Sequence, residues 1–257
     1  MRIFKRDRLN FIDQKKLVKY LKYALGEIIL VVIGILIALE IDTLNKNWET
    51  QKEEQKILQN LKSDYQYNLD NIKMIISHTD DRLSTNGLLI NLTGPDNSTT
   101  NEIELDSLIL RASGVPIYLP REGHLDELIN TGKLEIIAND VLRNKLSLWE
   151  PCIAQLQNRE ETTLLAMRTT ASFISTHGSW LNIDQHHSLM SKSLPKSTFK
   201  TDNRDLLTKP EFQNHLVSGF WALNVLRKRQ EDVLKINQEV LDLITSEIKS
   251  SDIQEDT

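Results

Sequence analysis

Four residues between positions 177 and 187 form the densest set of metal-capable side chains in the sequence. They are His177, Asp184, His186 and His187. Imidazole and carboxylate groups bind zinc when three or four of them converge on one ion. Neighbouring histidines on a loop more often point in different directions, so the pattern favours a plain polar loop. The sequence therefore predicts no bound metal and no cofactor.

Common enzyme signatures are absent from the sequence, including GxSxG, GxGxxG, GxxxxGK and HExxH. Acidic pairs occur at positions 53–54, 80–81 and 160–161. Adjacent residues face different sides of a helix, so these pairs favour solvated surfaces over an acid and base acting together. We expect that the protein is not an enzyme. A metal-dependent hydrolase using the loop at residues 177–187 is the enzymatic alternative.

The most informative feature is the run IILVVIGILIAL at residues 28–39, which contains no charge. Twelve residues rise about 18 Å as a helix, which also suits a buried helix of a soluble protein. The flanking residues extend the usable span to residues 23–44, and no polar face interrupts the run. The pattern favours a transmembrane helix, with a buried soluble helix as the alternative.

The charges around this run predict its orientation. Residues 1–22 contain eight Lys or Arg and two Asp, which is a net charge of +6. The net charge of the whole chain is −5, so the residues after position 22 carry a net charge of −11. Basic residues stay on the cytoplasmic side of a membrane. No small-residue cleavage site follows the run, which indicates an uncleaved signal anchor with the C-terminal domain outside the cytoplasmic membrane. An acidic domain outside the cytoplasm also makes nucleic acid an unexpected partner.

Four residues of the anchor are candidates for a role beyond insertion. Glu27 is an ionisable residue at the membrane edge, where it either serves a function or reaches the headgroup layer beside Lys22. Gly26, Gly34 and Ala38 lie on one helix face, and Gly34 and Ala38 have the small-xxx-small spacing that lets membrane helices approach closely. Packing of two anchors through this face is a hypothesis that would make the protein a homo-oligomer.

Three segments of the chain resemble a known family. They are GEIILVVIGILIALEID at residues 26–42, LKSDYQYNLDNI at 61–72 and DELINTGKLEIIANDVLRNKLSLW at 126–149. Together they resemble the membrane-anchored bacterial family catalogued as domain of unknown function 6090. The resemblance implies a Gram-negative membrane protein with no assigned activity and no catalytic residues to transfer. The family typically leaves the membrane with Gln-Ile-Asn-Asn-Trp-Asn, whereas this chain has Glu-Ile-Asp-Thr-Leu-Asn at residues 40–45 and its tryptophan at Trp48.

Helical periodicity dominates the remainder. Apolar stripes predict an amphipathic helix over about 48–89, a helix continuing past Pro151 to about residue 174, and a final helix of nearly forty residues. A capping box at Thr208 to Glu211 is predicted to start the final helix. Residues 115–120, with two prolines, are predicted to be extended. The expected fold is mainly α: a basic tail at 1–22, the anchor at 23–44 and an antiparallel bundle of long amphipathic helices at 45–257.

The final stripe contains three polar interruptions, Arg227, Gln230 and Asn237. Such residues either fix the register of a coiled coil or face solvent, and exposure to solvent is the preferred interpretation.

We expect a protein that binds the lipid bilayer and an unidentified protein partner as an envelope scaffold. The alternative is a small-ligand sensor, which would need an apolar pocket where the residues around Tyr118, His124 and Trp149 converge.

Overall fold

A computed structural model describes residues 14–96, 99–187, 194–195 and 197–255. It is 84% helical, and no strand occurs in the described ranges, so the prediction of a mainly α fold is confirmed. The α-helices are α1 (Gln14–Leu92), α2 (Glu102–Ala112), α3 (Gly123–Asn130), α4 (Asp140–Ser147), α5 (Trp149–His177), α6 (Trp180–His187) and α7 (Pro210–Glu255). Short 3-10 helices cover Lys133–Ile136 and Asn203–Thr208.

The chain divides into two units, Met1–Gln55 and Lys56–Thr257. In the first unit, α1 carries the apolar run, and the exposed fraction of its ten large aliphatic side chains is between 47% and 74%. Within the described residues, this helix is long and apolar enough to cross a membrane, with a mean hydropathy of 2.6 over its most apolar window. The basic residues at positions 2–8 lie outside the described residues.

In the second unit, α1 from Lys56 onward, α5 and α7 form an antiparallel bundle. The hydroxyl of Thr163 in α5 lies 3.4 Å from the carbonyl oxygen of Ala222 in α7, and that of Thr170 lies 3.5 Å from the carbonyl oxygen of His215. Residue numbers therefore increase in opposite directions along the two helices. The main core contains Leu58, Leu61, Ile72, Leu142, Leu146, Leu223, Leu226, Val233, Val240 and Ile244, among others.

Ten buried residues of α7 follow one another at alternating intervals of four and three. They are Phe212, Leu216, Gly219, Leu223, Leu226, Gln230, Val233, Asn237, Val240 and Ile244. Leu241, which is adjacent to Val240, is buried as well. This spacing produces a continuous stripe along one helix face. Gln230 and Asn237 are completely buried, so the prediction that they face solvent is wrong. Apolar residues precede and follow both amides within the stripe, and the helix therefore carries them into the core.

A second, smaller core lies at the end of the bundle where α1 ends and α7 begins. Asn203 is completely buried there and joins three segments. Its Nδ2 donates to Asp106 Oδ1 at 2.7 Å, and its Oδ1 accepts from the backbone N–H of Ser179, also at 2.7 Å. A Cβ atom at Gly178 would lie 2.7 Å from Asn203 Oδ1, so glycine allows this close approach.

Several local predictions can be compared with the structure. α5 begins at Trp149, which places Pro151 in the first turn, where a missing N–H breaks no helical hydrogen bond. The predicted capping box is wrong, because the Thr208 hydroxyl donates to the carbonyl oxygen of Asp205 at 2.9 Å and α7 begins at Pro210. The residues expected to form a loop at 180–187 form α6.

Candidate functional site

Residues 115–121 form an extended segment between α2 and α3. Its side chains alternate, with Pro116 and Tyr118 buried and Ile117 and Leu119 exposed. This alternation is typical of an extended backbone, whose successive side chains point to opposite sides. One side of the extended segment therefore enters the bundle, and the other side forms part of the surface.

Asn68 of α1 binds the end of the extended segment through a reciprocal pair of hydrogen bonds. Its Nδ2 donates to the carbonyl oxygen of Arg121 at 2.8 Å, and its Oδ1 accepts from the Arg121 backbone N–H at 2.7 Å. Asn68 is completely buried. The side-chain amide thus satisfies both backbone groups of one residue, much as a neighbouring strand would.

Two further hydrogen bonds join α1 to the extended segment. The Tyr118 hydroxyl donates to the backbone carbonyl oxygen of Asn68 at 3.2 Å, and Asn71 Nδ2 donates to the carbonyl oxygen of Leu119 at 3.1 Å. Together with the Asn68 amide, these bonds fix the segment over residues 118–121. The backbone position of Leu119 is therefore set by α1.

Glu160 of α5 holds the extended segment from the other side. Its Oε1 accepts from the Tyr118 backbone N–H at 2.8 Å, and the residue is only 4% exposed. Burial raises the pKa of Glu160 to about 7, against the opposing effect of the Tyr118 N–H, which stabilises the carboxylate. This carboxyl group therefore exchanges a proton near neutral pH.

The Tyr118 ring reaches the interior of the bundle. Burial raises the pKa of its hydroxyl, and the nearby Glu122 carboxylate raises it further. The Asn237 amide of α7 lies beside this hydroxyl, but neither of its polar atoms has a partner of acceptable hydrogen-bond geometry. Both polar atoms of the Gln230 side chain are also buried without a partner.

A second polar group lies where the extended segment leads into α3. His124 Nδ1 and Asp64 Oδ2 are 2.6 Å apart, with His124 45% exposed at its side chain and Asp64 10% exposed. Trp149 Nε1 donates to Glu122 Oε1 at 2.9 Å, and burial raises the pKa of that carboxyl group. The ring of Tyr65 meets the Trp149 ring edge-on, with 4.9 Å between centroids. These contacts attach the start of α3 to α1 and α5.

The residues around Tyr118, His124 and Trp149 do come together, as a ligand pocket would require. However, Tyr118 and Trp149 are each only 1% exposed, so their side chains are core residues and line no open pocket. A separate cleft of about 40 Å³ lies at the second core, bordered by residues that include Asn86, Met167, Trp180 and Phe212. A space of this size holds a few water molecules and is too small for a metabolite.

The candidate residues of the anchor all lie in the exposed part of α1. Glu27, Gly26, Gly34 and Ala38 contact no other element among the described residues, and a Cβ atom at either glycine would meet nothing within 4 Å. One turn of helix separates Gly34 from Ala38, as the spacing predicts. A functional role for Glu27 and helix packing at the small residues stay predictions.

The cluster at residues 177–187 can be located only in part. The ring of His177 stacks on Phe173 with 4.2 Å between centroids, and its Nδ1 lies 3.2 Å from the Phe173 carbonyl oxygen. Asp184 is buried in α6, and the side chains of His186 and His187 lie outside the description. Among the side chains that are described, no three His, Cys, Asp or Glu residues form a group that could hold a metal ion.

Sequence analysis missed Asn68 as a residue that organises the site, and its assignment of Glu160 to a solvated surface is wrong, because Glu160 is only 4% exposed. Asn68 lies three residues after Tyr65 and four before Ile72, which places it within the buried stripe of α1. Glu160 lies four residues after the buried Leu156. A polar residue at a core position of an amphipathic helix is the signal that could have identified both, because such a residue needs a buried partner.

The fold and the site define a helical protein with one apolar helix able to cross a membrane and a bundle that encloses an extended segment of its own chain. The chain belongs to the family of unknown function DUF6090, whose family model matches residues 27–160. No curated protein and no solved structure matches the chain. All the α1 and α5 residues that hold the extended segment lie within the matched range.

Proposed function

We propose that this protein is a single-pass protein of the bacterial inner membrane, with a helical domain that binds a protein partner in the periplasm. The observation that supports the anchor most directly is the exposure of ten large aliphatic side chains at residues 28–39, each at least 47% exposed. Each aliphatic residue favours insertion by roughly 0.3 to 0.6 kcal/mol, so the run contributes about 3 to 6 kcal/mol. A lipid bilayer covers such a surface without any protein contact.

Aromatic residues at both ends of the run support the proposed span. Tyr20 and Tyr23 precede it, and Trp48 follows it, all more than half exposed. Tyrosine and tryptophan prefer the two interfaces of a bilayer, and the 26 residues from Tyr23 to Trp48 rise about 38 Å as a helix. The Lys52 amine lies 5.2 Å from the centre of the Trp48 ring, where it can also reach headgroups.

The proposed orientation depends on the basic tail. The net charge of +6 on residues 1–22 favours retention of the N-terminus in the cytoplasm, and this places the domain after the anchor in the periplasm. In this arrangement the apolar span is both the membrane anchor and the export signal, so it is a signal anchor.

A partner-binding role is favoured over catalysis and over small-ligand sensing. The polar groups inside the bundle bind the chain's own backbone, as Glu160 and Asn68 do at the extended segment. The surface beside these residues, by contrast, exposes the apolar side chains of Ile117 and Leu119, at 44% and 71%. A sensor remains the alternative function, and a metabolite that raises the melting temperature of the purified protein would reveal it.

Protease accessibility of a C-terminal epitope tests the proposed anchor and orientation. The epitope should be protected in intact cells, digested in spheroplasts and digested after lysis, with a cytoplasmic protein as the control for leakage. Protection in spheroplasts until lysis would place the domain in the cytoplasm and refute the orientation. Release of the chain from membranes by carbonate washing would refute the anchor.

A further inference from the structure

A basic face lies on α1 directly before the apolar run. We define the lysine face as Lys15, Lys19 and Lys22. α1 begins at Gln14 and continues through the apolar run, so all three lysines belong to the same helix as the run. Their intervals of four and three residues place them within about 60° of one another around the helix axis. Lys19 and Lys22 are exposed.

The lysine face has no acidic neighbours on its own helix. Side chains three or four positions apart are neighbours on a helix surface, and no acidic residue lies at these distances from any of the three lysines. Lys19 instead has three lysines and a tyrosine at these positions. Glu27 lies five positions after Lys22, about 140° around the helix, so its carboxylate faces a different side. Like charges at these spacings destabilise a helix, and an anion bound from outside relieves that repulsion.

The lysines that follow the apolar run differ in this respect. The amine of Lys46 lies 2.7 Å from Asp42 Oδ2, four positions earlier on the helix. The amine of Lys52 lies 5.2 Å from the centre of the Trp48 ring. Both cations therefore have partners on α1, whereas the lysine face combines like charges. The countercharge for the lysine face has to come from outside the helix.

The rise of the helix places the lysine face at the headgroup layer of a bilayer. The anchor at residues 23–44 rises about 32 Å, close to the roughly 30 Å of a hydrocarbon core, and headgroups extend roughly 5 to 8 Å beyond that core. Lys22 then lies at the edge of the core, and Lys19 lies about 6 Å from residue 23. Lys15 lies about 12 Å from residue 23, close enough for headgroup charge to act across a screening length of about 8 Å.

We propose that the lysine face binds the phosphate groups of acidic phospholipids in the membrane leaflet nearest to it. Two properties select this occupant: a negative charge to balance three lysines, and a position beside the hydrocarbon core, where lipid headgroups lie. Tyr20 and Tyr23, which are 75% and 69% exposed, flank the lysines and suit the same interface. The inference rests on the proposed membrane anchor, but not on its orientation.

Native mass spectrometry of the full-length protein in an uncharged detergent tests the proposal. The protein is titrated with phosphatidylglycerol, which is acidic, and with phosphatidylcholine, which has no net charge. Lys19→Gln together with Lys22→Gln should raise the apparent Kd for phosphatidylglycerol at least about fivefold, which is the contribution of about one lysine near an anionic surface. The Kd for phosphatidylcholine should stay unchanged.

Two further pairs of substitutions are the controls. Lys46→Gln together with Lys52→Gln removes the same charge from the other end of the apolar run and should have the smaller effect on phosphatidylglycerol binding. Lys19→Arg together with Lys22→Arg keeps the charge and should retain the wild-type affinity.

Equal affinity of the wild-type protein for the two lipids would overturn the proposal, as would equal losses of phosphatidylglycerol binding in the two Gln pairs. Displacement of the bound lipid by inorganic phosphate would assign the lysine face to a free anion, and displacement by a polyglutamate peptide would assign it to an acidic protein. Either displacement would refute a lipid site. Failure of the anchor is detected separately, because carbonate washing would then release the chain from membranes whether or not the lysines bind phosphate.

Discussion

The buried carboxyl group of Glu160 makes the stability of the bundle depend on pH. In the folded protein, burial raises the pKa of Glu160 to about 7 from the ordinary value of 4.5. The folded state therefore holds a proton that the unfolded state releases between these two values. Stability is greatest below pH 4.5 and is lost as the pH rises through 7, and the shift corresponds to about 3 kcal/mol.

Glu160→Gln removes this titration and keeps an oxygen that can accept from the Tyr118 N–H. At pH 5, the wild-type carboxyl group is mostly protonated when folded, so the free energies of unfolding of the two proteins should be closest. At pH 8, the variant should be more stable than the wild type, and most of the 3 kcal/mol difference should develop between these pH values. This amount is a large part of the total stability of about 5 to 15 kcal/mol of a typical domain.

Urea unfolding in detergent, followed by circular dichroism at several pH values, measures the difference. Other titrating groups contribute equally to both proteins, so only the difference between them is informative. Glu161→Gln is the matched control, because it removes an adjacent exposed carboxylate and should preserve the pH dependence of the wild type. A difference between wild type and Glu160→Gln that stays constant from pH 5 to pH 8 would refute the assignment of a buried, destabilising carboxylate.

Three further substitutions, the first with Asn71→Ala as its comparison, test other parts of the structure. Asn68→Ala leaves two backbone groups of the extended segment without partners and should lower the free energy of urea unfolding by about 2 to 4 kcal/mol. Asn71→Ala loses one exposed hydrogen bond and should lower it by about 1 kcal/mol or less. Gln230→Met replaces a buried amide that has no partner and should raise the melting temperature, with a stability gain of about 1 to 2 kcal/mol; a loss would show that the amide is satisfied. Val32→Arg, in the middle of the apolar run, opposes insertion by about 2.5 to 3.5 kcal/mol and should reduce the membrane-bound fraction after carbonate extraction.

Periodicity was sufficient to predict the long helices, because their stripes contain many apolar residues and average out local exceptions. The two prolines likewise predicted that residues 115–120 are extended. In each case the information lies within one stretch of sequence. Such features follow from local geometry and need no knowledge of distant residues.

The position of the extended segment could not be predicted in the same way. Its bonds to Asn68 and Glu160 span 53 and 42 residues of sequence, and no spacing rule links them. The burial of Gln230 has a similar cause, since a preference of amides for solvent was overridden by the apolar residues around it in the stripe. α6 was missed because its eight residues are mostly polar and give little periodic signal.

The position of α7 has a consequence for how the chain can be divided. α7 contributes Val240 and Ile244 to the main core and Phe212 and Leu216 to the second core, so both cores need the last helix. The family model ends at residue 160, before α7 and most of α5. A fragment cut at that boundary would expose the apolar stripe of α1 to water. The segment that identifies the family therefore lacks the helix that completes both cores, and assembly of the bundle must wait until α7 has been synthesised.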